Sequence, residues 1–419
     1  MIRLYNAARW ARVVCAAGIS VLWVTASISG ELTELLAAVP SRLTGLASSQ
    51  PLEVQNAYRH PAADLPPEKI LSFQRGKAVF DLSIPNWALA NRILLGPSNA
   101  SSCIDCHIRS GRGALQQGME VFGPPAPLVG FGAGVAGSPS VPTKSPIPAA
   151  GAKQVLRIWW EELECLWLDG DQQCRRIPRG ENLVNRVRVD HFRMAPPLIG
   201  LSLLEDIEDS QIQQWHEMNQ LGVVPYSVST STGLTSIGRF GFKSKWRTIK
   251  EFVENALTDE LGIRPKSLLS ERDVSDLVTY TGELAVPGRQ SDGESMRAGF
   301  VKFKEMQCAV CHRPSYKINR RLAEKLVPMQ IWPFTDMLLH DLSNGSDGGQ
   351  NELWKTSPLW GIGRSRDVLG FGAYMHDGRA KTLVEAILWH GGEASRSREQ
   401  FLNASPDERA LILAFLQSL

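Results

Sequence analysis

Cys103-Ile104-Asp105-Cys106-His107 and, far downstream, Cys308-Ala309-Val310-Cys311-His312 decide how this chain reads. In each stretch two thiols stand far enough apart to add across the two vinyl groups of a haem, and the adjacent imidazole can then reach the iron. With 7 cysteines and 8 histidines in 419 residues, chance would supply roughly 0.002 such motifs. Zinc could draw on the same residue types. However, one CxxC and the histidine beside it make a poor tetrahedral set, and no second CxxC or short-range His-x-His completes either half. The spacing therefore predicts two covalently bound haem c groups, one on Cys103, Cys106 and His107 and the other on Cys308, Cys311 and His312.

The sequence around the two motifs predicts two units of common design. Phe73, Gly76 and Phe80 recur downstream as Met296, Gly299 and Phe303, and both sets precede a CxxCH. Pro66 opens a helical segment that runs to Phe80, and further helices are expected over 246–261 and 270–283, the second capped at Ser270. The chain closes on a helix with Ser405 as N-cap, Pro406 in the first position and Glu408 completing a capping box; Leu411, Ile412, Phe415, Leu416 and Leu419 give it an apolar face. Residues 287–293, with Pro, Gly and Ser, mark a boundary. The expected organisation has a lead-in over 30–66, an N-terminal haem domain over 67–287 and a C-terminal cytochrome c-like haem domain over 293–419. The N-terminal domain carries a Gly- and Pro-rich loop (123–153) and a β insertion (154–190). The expected fold class is mainly α, two cytochrome c-like haem domains with a small β-hairpin-containing insertion in the first.

Arg3, Arg9 and Arg12 precede an uncharged apolar run over 13–28, the pattern of a secretory signal. Small residues at Ser27 and Ser29 suit cleavage near Gly30; a retained segment over 1–29 would be a short anchor, and membrane contact is expected only in that case. Export places the protein in the periplasm. Cys15 then falls in the signal, and the remaining pair, Cys165 and Cys174, flanks Leu168-Asp169-Gly170-Asp171. That turn suggests a hairpin closed by a disulfide in an oxidising compartment, with two free buried thiols as the alternative. A net charge of +2 from 45 basic and 43 acidic residues, well mixed along the chain, leaves no basic stripe for phosphate, so nucleic acid is not an expected partner.

Further segments resemble the di-haem oxidoreductases, peroxidase-like proteins related to bacterial di-haem cytochrome c peroxidases. They are Ser102-Cys-Ile-Asp-Cys-His107 followed by Gly111-Arg-Gly113, Ala195-Pro-Pro-Leu-Ile-Gly200 and Ile237-Gly-Arg-Phe-Gly241, then Leu338-Leu-His-Asp341, Met375-His-Asp-Gly-Arg-Ala380 and Trp389-His-Gly-Gly-Glu-Ala394. The resemblance implies an N-terminal haem that meets peroxide and a C-terminal haem that relays electrons from a small donor protein such as a cytochrome or cupredoxin. It implies that His390, 14 residues after His376, is the distal ligand of the C-terminal haem, where the peroxidases usually place methionine; a polar residue at a helix end is the other reading. His376 with Asp377 reads as a structural pair beside that haem.

Glu260, in Asp259-Glu-Leu-Gly262, falls where the family holds a catalytic glutamate, and a carboxylate there could move a proton between peroxide oxygens. Without the resemblance it would read as a helix-end carboxylate. The chain also departs from the family pattern: Phe242 stands where a tryptophan follows Arg-Phe-Gly, with Trp246 nearby, Lys250 stands where a glutamine is usual, and the calcium-like Asp-rich run is missing. No histidine follows His107 at a peroxidase-like distance. The far side of the N-terminal haem is therefore open, or closed by His191, Met194, His216, Met337 or His340. A closed site would make the protein an electron-transfer cytochrome; a high-valent-iron oxidase of a protein or thiol substrate is a third reading.

Overall fold

A computed structural model describes residues 44–45, 54–83, 102–113, 120–122, 127–129, 155–182, 188–189, 192–228, 233–263, 268–289, 293–322, 325–343 and 353–419. The expected signal or anchor over 1–29, most of the lead-in and most of the 123–153 loop lie outside these residues. Among the described residues no helix is long and apolar enough to cross a membrane.

The helices are α1 Pro67–Asp81, α2 Cys103–Cys106, α3 Leu201–Glu205, α4 Asp209–Asn219, α5 Ile249–Asp259 and α6 Glu271–Gly282, then α7 Glu294–Glu305, α8 Ser365–Leu369, α9 Leu383–Leu388, α10 Ser395–Asn403 and α11 Pro406–Ser418. Two pairs carry the frame. α1 begins at Pro67, which has no N–H to waste in the first turn, and buries Phe73, Gly76 and Phe80. It crosses α6, whose Ser270 and Asp273 form a capping box. The crossing is tight at Gly76, where a Cβ would stand 1.9 Å from the Asp276 carbonyl oxygen and 2.8 Å from the Tyr280 Cβ. α7 and α11 repeat this: Ser405 and Glu408 box the start of α11, and a Cβ on Gly299 would stand 2.0 Å from the Leu411 carbonyl oxygen and 2.7 Å from the Phe415 Cβ. In both pairs glycine is required by the approach of the backbones.

The strands are more numerous than a mainly α reading allows, and the fold is mixed α and β. They are β1 Thr44–Gly45, β2 Glu120–Phe122, β3 Pro127–Val129, β4 Val155–Leu168, β5 Asp171–Asn182, β6 Arg188–Val189 and β7 Phe192–Met194, then β8 Tyr226–Val228, β9 Thr235–Ile237, β10 Val286–Pro287, β11 Tyr316–Leu322, β12 Lys325–Ile331, β13 Leu339–Asp341 and β14 Leu353–Lys355. β4 and β5 form a long antiparallel hairpin turning at Asp169 and Gly170, within a four-stranded sheet ordered β2-β4-β5-β6. β11 and β12 form a second hairpin, inside the C-terminal half. The expectation of a mainly α fold missed it because Tyr316, Ile318, Ile331 and the alternating polar residues between them sit beside Pro328, a residue that argues against a regular strand.

Among the described residues the buried apolar side chains gather in separate cores. The largest gathers Phe73, Phe80, Cys106, Leu257, Leu261 and Tyr280, and receives Tyr316, Ile318 and Ile331 from the β11–β12 hairpin. The second gathers Met296, Phe300, Phe303, Phe334, Phe415 and Leu416. A smaller third core joins Ile177 of β5 to Tyr374, Ala380 and Trp389, so the first hairpin packs on the C-terminal half of the molecule rather than on the unit it interrupts in sequence.

Candidate functional site

The two CxxCH motifs sit in matching surroundings. His107 is placed behind Phe80, ring centroids 6.2 Å apart at 49°, and its Nδ1 lies 2.9 Å from the Pro196 carbonyl oxygen. His312 is placed behind Phe303, 6.2 Å apart at 52°, with its Nδ1 3.0 Å from the Phe334 carbonyl oxygen. A carbonyl beside Nδ1 makes that nitrogen the donor, which turns the lone pair of Nε2 outward as a metal ligand. Burial pushes the His107 imidazole down to about 4, and burial together with His390 pushes His312 down to about 3. Both are therefore neutral at physiological pH, the form that coordinates. Cys103, Cys106, Cys308 and Cys311 form no disulfide.

Opposite His312 stands His390. Their ring centroids are 6.2 Å apart. Two imidazoles sharing one metal, each with a metal–nitrogen bond of about 2.0 Å, would place their centroids about 6.3 Å apart. His390 Nδ1 donates to the Ala386 carbonyl oxygen at 2.8 Å, again leaving Nε2 for a metal, and burial lowers its pKa. Among the described residues no imidazole faces His107 in this way; His191 is outside them.

Glu260 caps the C-terminal end of α5, half-buried, and its carboxylate is near enough to Cys106 to add to the effect of burial in raising that thiol's pKa. The helices that carry Glu260 and lead to His390 begin in the same way. Thr248 caps α5 and takes the Glu251 N–H; Thr382 caps α9 and takes the Glu385 N–H. Eight residues past the cap stands His390 in one and Ala256 in the other, and Glu260 lies one helical turn beyond Ala256 on the same face. Ala256 offers no functional group, and only the shared Thr-x-x-Glu register marks it in the sequence.

His340 is not placed with the first motif. It is buried beside Cys311, with Nε2 2.8 Å from Asp336 and Nδ1 2.9 Å from Glu393. Burial, the largest single influence, opposes its protonation, but hydrogen bonds and charge interactions with Asp336 and Cys311 together outweigh it and raise its pKa to about 11. Cys311, Asp336 and His340 could together ligate a cation, yet both imidazole nitrogens are already taken by carboxylates. His216 Nδ1 bonds the Leu221 carbonyl, and Met194 is buried against Gly378. Lys250 is exposed on α5, 3.9 Å from Glu254, so it does not enter the site as a glutamine substitute.

His376 stacks on Trp354 of β14, ring centroids 3.7 Å apart at 14°, while Asp377 is held by Arg379. Trp354 also meets Phe242 edge-on at 6.1 Å, so β14 supplies an aromatic next to the position where the family tryptophan is missing. The loop carrying His376 touches both halves. Arg112 donates to the Met375 carbonyl oxygen, and the Met194 N–H donates to the His376 carbonyl at 2.7 Å, two residues before the Pro196 carbonyl that holds His107.

Residues 269–419 match the family described as "Di-haem oxidoreductase, putative peroxidase". That region is similar to the di-haem oxidoreductases. No curated protein sequence matches the chain. A solved structure of Kuenenia stuttgartiensis hydrazine synthase pressurized with 20 bar xenon is similar at 14% identity over 91% of this chain and 95% of that chain, with a TM-score of 0.37. The family's two haems fit the residues in place. Each motif offers two thiols and an outward Nε2, the His312–His390 spacing suits a shared metal, and Arg112, five residues past His107, has a buried Nε with no acceptor of the kind a haem propionate provides.

The disulfide expected between Cys165 and Cys174 is present, pairing opposite residues of β4 and β5.

Proposed function

We propose that the chain is a periplasmic di-haem oxidoreductase that reduces peroxide at the N-terminal site with electrons relayed through the C-terminal site. Cys103, Cys106 and His107 would attach one haem c, and Cys308, Cys311, His312 and His390 the other. The haems supply electron storage and, where a coordination position is free, activation of a bound oxidant. The single observation that carries this reading is the asymmetry at the eighth residue past each threonine cap, His390 in one unit and Ala256 in the other. Ala256 would offer no ligand atom to a haem held by Cys103, Cys106 and His107, and Glu260 one turn further on is a candidate acid-base group.

The overall change consumes one peroxide, two electrons and two protons and yields two waters. Glu260 as carboxylate would take a proton from one peroxide oxygen and return it to the other, so that water rather than hydroxide leaves. Leu257 and Leu261, on either side of Glu260 in sequence, belong to the same apolar core as Phe80. The loop of Met375 and His376, in contact with Arg112 and Trp354, supports a relay between the halves. A small cytochrome or cupredoxin is the proposed donor. The N-terminal basic and apolar run supports export by a signal, with membrane contact only if that segment is retained.

Stopped-flow mixing of the fully reduced holoprotein with hydrogen peroxide tests the reading. Both haems are expected to reoxidise, with two electrons consumed per peroxide. Haems that stay reduced on that timescale would instead support an electron-transfer cytochrome.

A further inference from the structure

The β4–β5 hairpin lies in sequence between the two halves of the first unit, yet its side chains hold the second. At its tip Asp169 accepts from Arg409 of α11, Nε to Oδ2 2.7 Å. Arg176 of β5 meets Glu385 of α9 at 2.6 Å, and the side chains are 11% and 4% exposed. The Arg175 guanidinium lies 4.5 Å over the ring of Trp389, which Arg379 also approaches at 4.3 Å. Trp389 is buried and immediately precedes His390. The Cys165–Cys174 disulfide ties the two strands beside Arg175 and Arg176.

α9 has six residues, well below the length of roughly 12–15 at which a helix persists unaided in water. Its placement must come from tertiary contacts, and Arg176 is the cation at its buried Glu385. Glu385 keeps the Lys381 N–H at 2.6 Å when that cation is removed, but loses its buried ion-pair partner. Glu251 of α5 likewise takes the Arg247 and Thr248 N–H groups at 3.2 Å, so at α9 the Arg176 ion pair is added to the cap's own bonds. The arm is built onto the helix that leads to His390.

We propose that hairpin 155–182 is a positioning arm for that histidine: Arg176 through Glu385, and Arg175 through Trp389, hold His390 against the metal opposite His312 and keep the second haem closed to external ligands. The proposal rests on the reading of His390 as a haem ligand. Cation–π contact and a buried ion pair, both specific in geometry, fix the helix end where a sliding of a few tenths of an ångström would lengthen the metal–nitrogen bond.

Carbon monoxide binding by the dithionite-reduced holoprotein tests it, together with spectroelectrochemical titration. The unaltered protein is expected to bind one carbon monoxide, at the first haem. Arg176→Met and Arg175→Gln are expected to bind a second, with a higher midpoint potential for the second haem, and Arg176→Lys to restore the single stoichiometry. Asp169→Asn, at the exposed tip of the hairpin, loosens the arm without placing a fold at risk and is expected to admit a second carbon monoxide, where the unaltered protein binds one. His390→Ala separates the two ideas. If it too binds one carbon monoxide, the ligand reading fails. If it binds two while Arg176→Met, Arg175→Gln and Asp169→Asn all behave as the unaltered protein, the arm proposal is overturned.

Discussion

The two halves of this molecule share a frame and differ at one face. α1 crosses α6 and α7 crosses α11, each at a glycine that no other residue can replace without moving a backbone. Each crossing seats a phenylalanine 6.2 Å from the ring of the CxxCH histidine, whose Nδ1 meets a carbonyl outside the crossing, Pro196 for His107 and Phe334 for His312. Everything that holds the near side of a haem is duplicated. The far side is not: His390 faces His312, and Ala256 occupies the corresponding register before Glu260. On the function proposed above, a duplicated cradle with a ligand residue on one side only would give two sites of opposite reactivity.

Exchanging that residue should produce the largest effect. Ala256→His should close the first haem and reduce peroxide turnover by at least about a hundredfold, read as a low-spin spectrum with haem content unchanged. Glu260→Gln should keep the open site and both haems but slow peroxide turnover by about 10²–10⁴-fold, in single-turnover kinetics. Unchanged turnover would return Glu260 to the role of a helix-end carboxylate. Gly299→Ala and Gly76→Ala test the shared frame rather than the difference. Each should cost about 1–3 kcal/mol in denaturant unfolding, because the added methyl has no space between the crossing backbones.

The smallest effect concerns how each crossing is charged. Arg75 bonds Asp276 on the first crossing and, with burial opposing, holds its carboxyl below the usual range. Its stabilising share is therefore present above about pH 4 and is lost as pH falls through the lowered pKa. Arg75→Gln should move the acid-unfolding midpoint to higher pH. On the second crossing Lys302 and Glu408 form the corresponding link, with backbone and side-chain bonds at the cap pushing Glu408 down to about 2. Lys302→Gln should leave much of that depression in place, since the Ser405 cap remains.

The cradle was legible from the sequence because its chemistry is local. CxxCH spacing, Gly–Phe periodicity and the Ser405 and Ser270 caps are patterns within about a dozen residues, and helix bounds followed them closely. His390 was singled out through the family resemblance, 14 residues after His376, and it stands opposite His312. His340 was not, because three residues distant in sequence from one another, Asp336, Cys311 and Glu393, decide that it belongs beside the second motif. Two further features lay beyond local pattern. Ala256 matters for what it lacks, and the hairpin's allegiance to the second unit depends on Arg176–Glu385 and Asp169–Arg409 contacts that no sequence spacing links. The β11–β12 hairpin escaped because its apolar alternation is short and carries a proline.

The central claim is that one haem is open and the other closed. Low-temperature electron paramagnetic resonance of the oxidised, resting holoprotein tests it most directly. The structure of the two sites predicts one high-spin ferric signal from the haem on His107 and one low-spin signal from the haem between His312 and His390, in equal amounts. Two low-spin signals in the unaltered protein would contradict it.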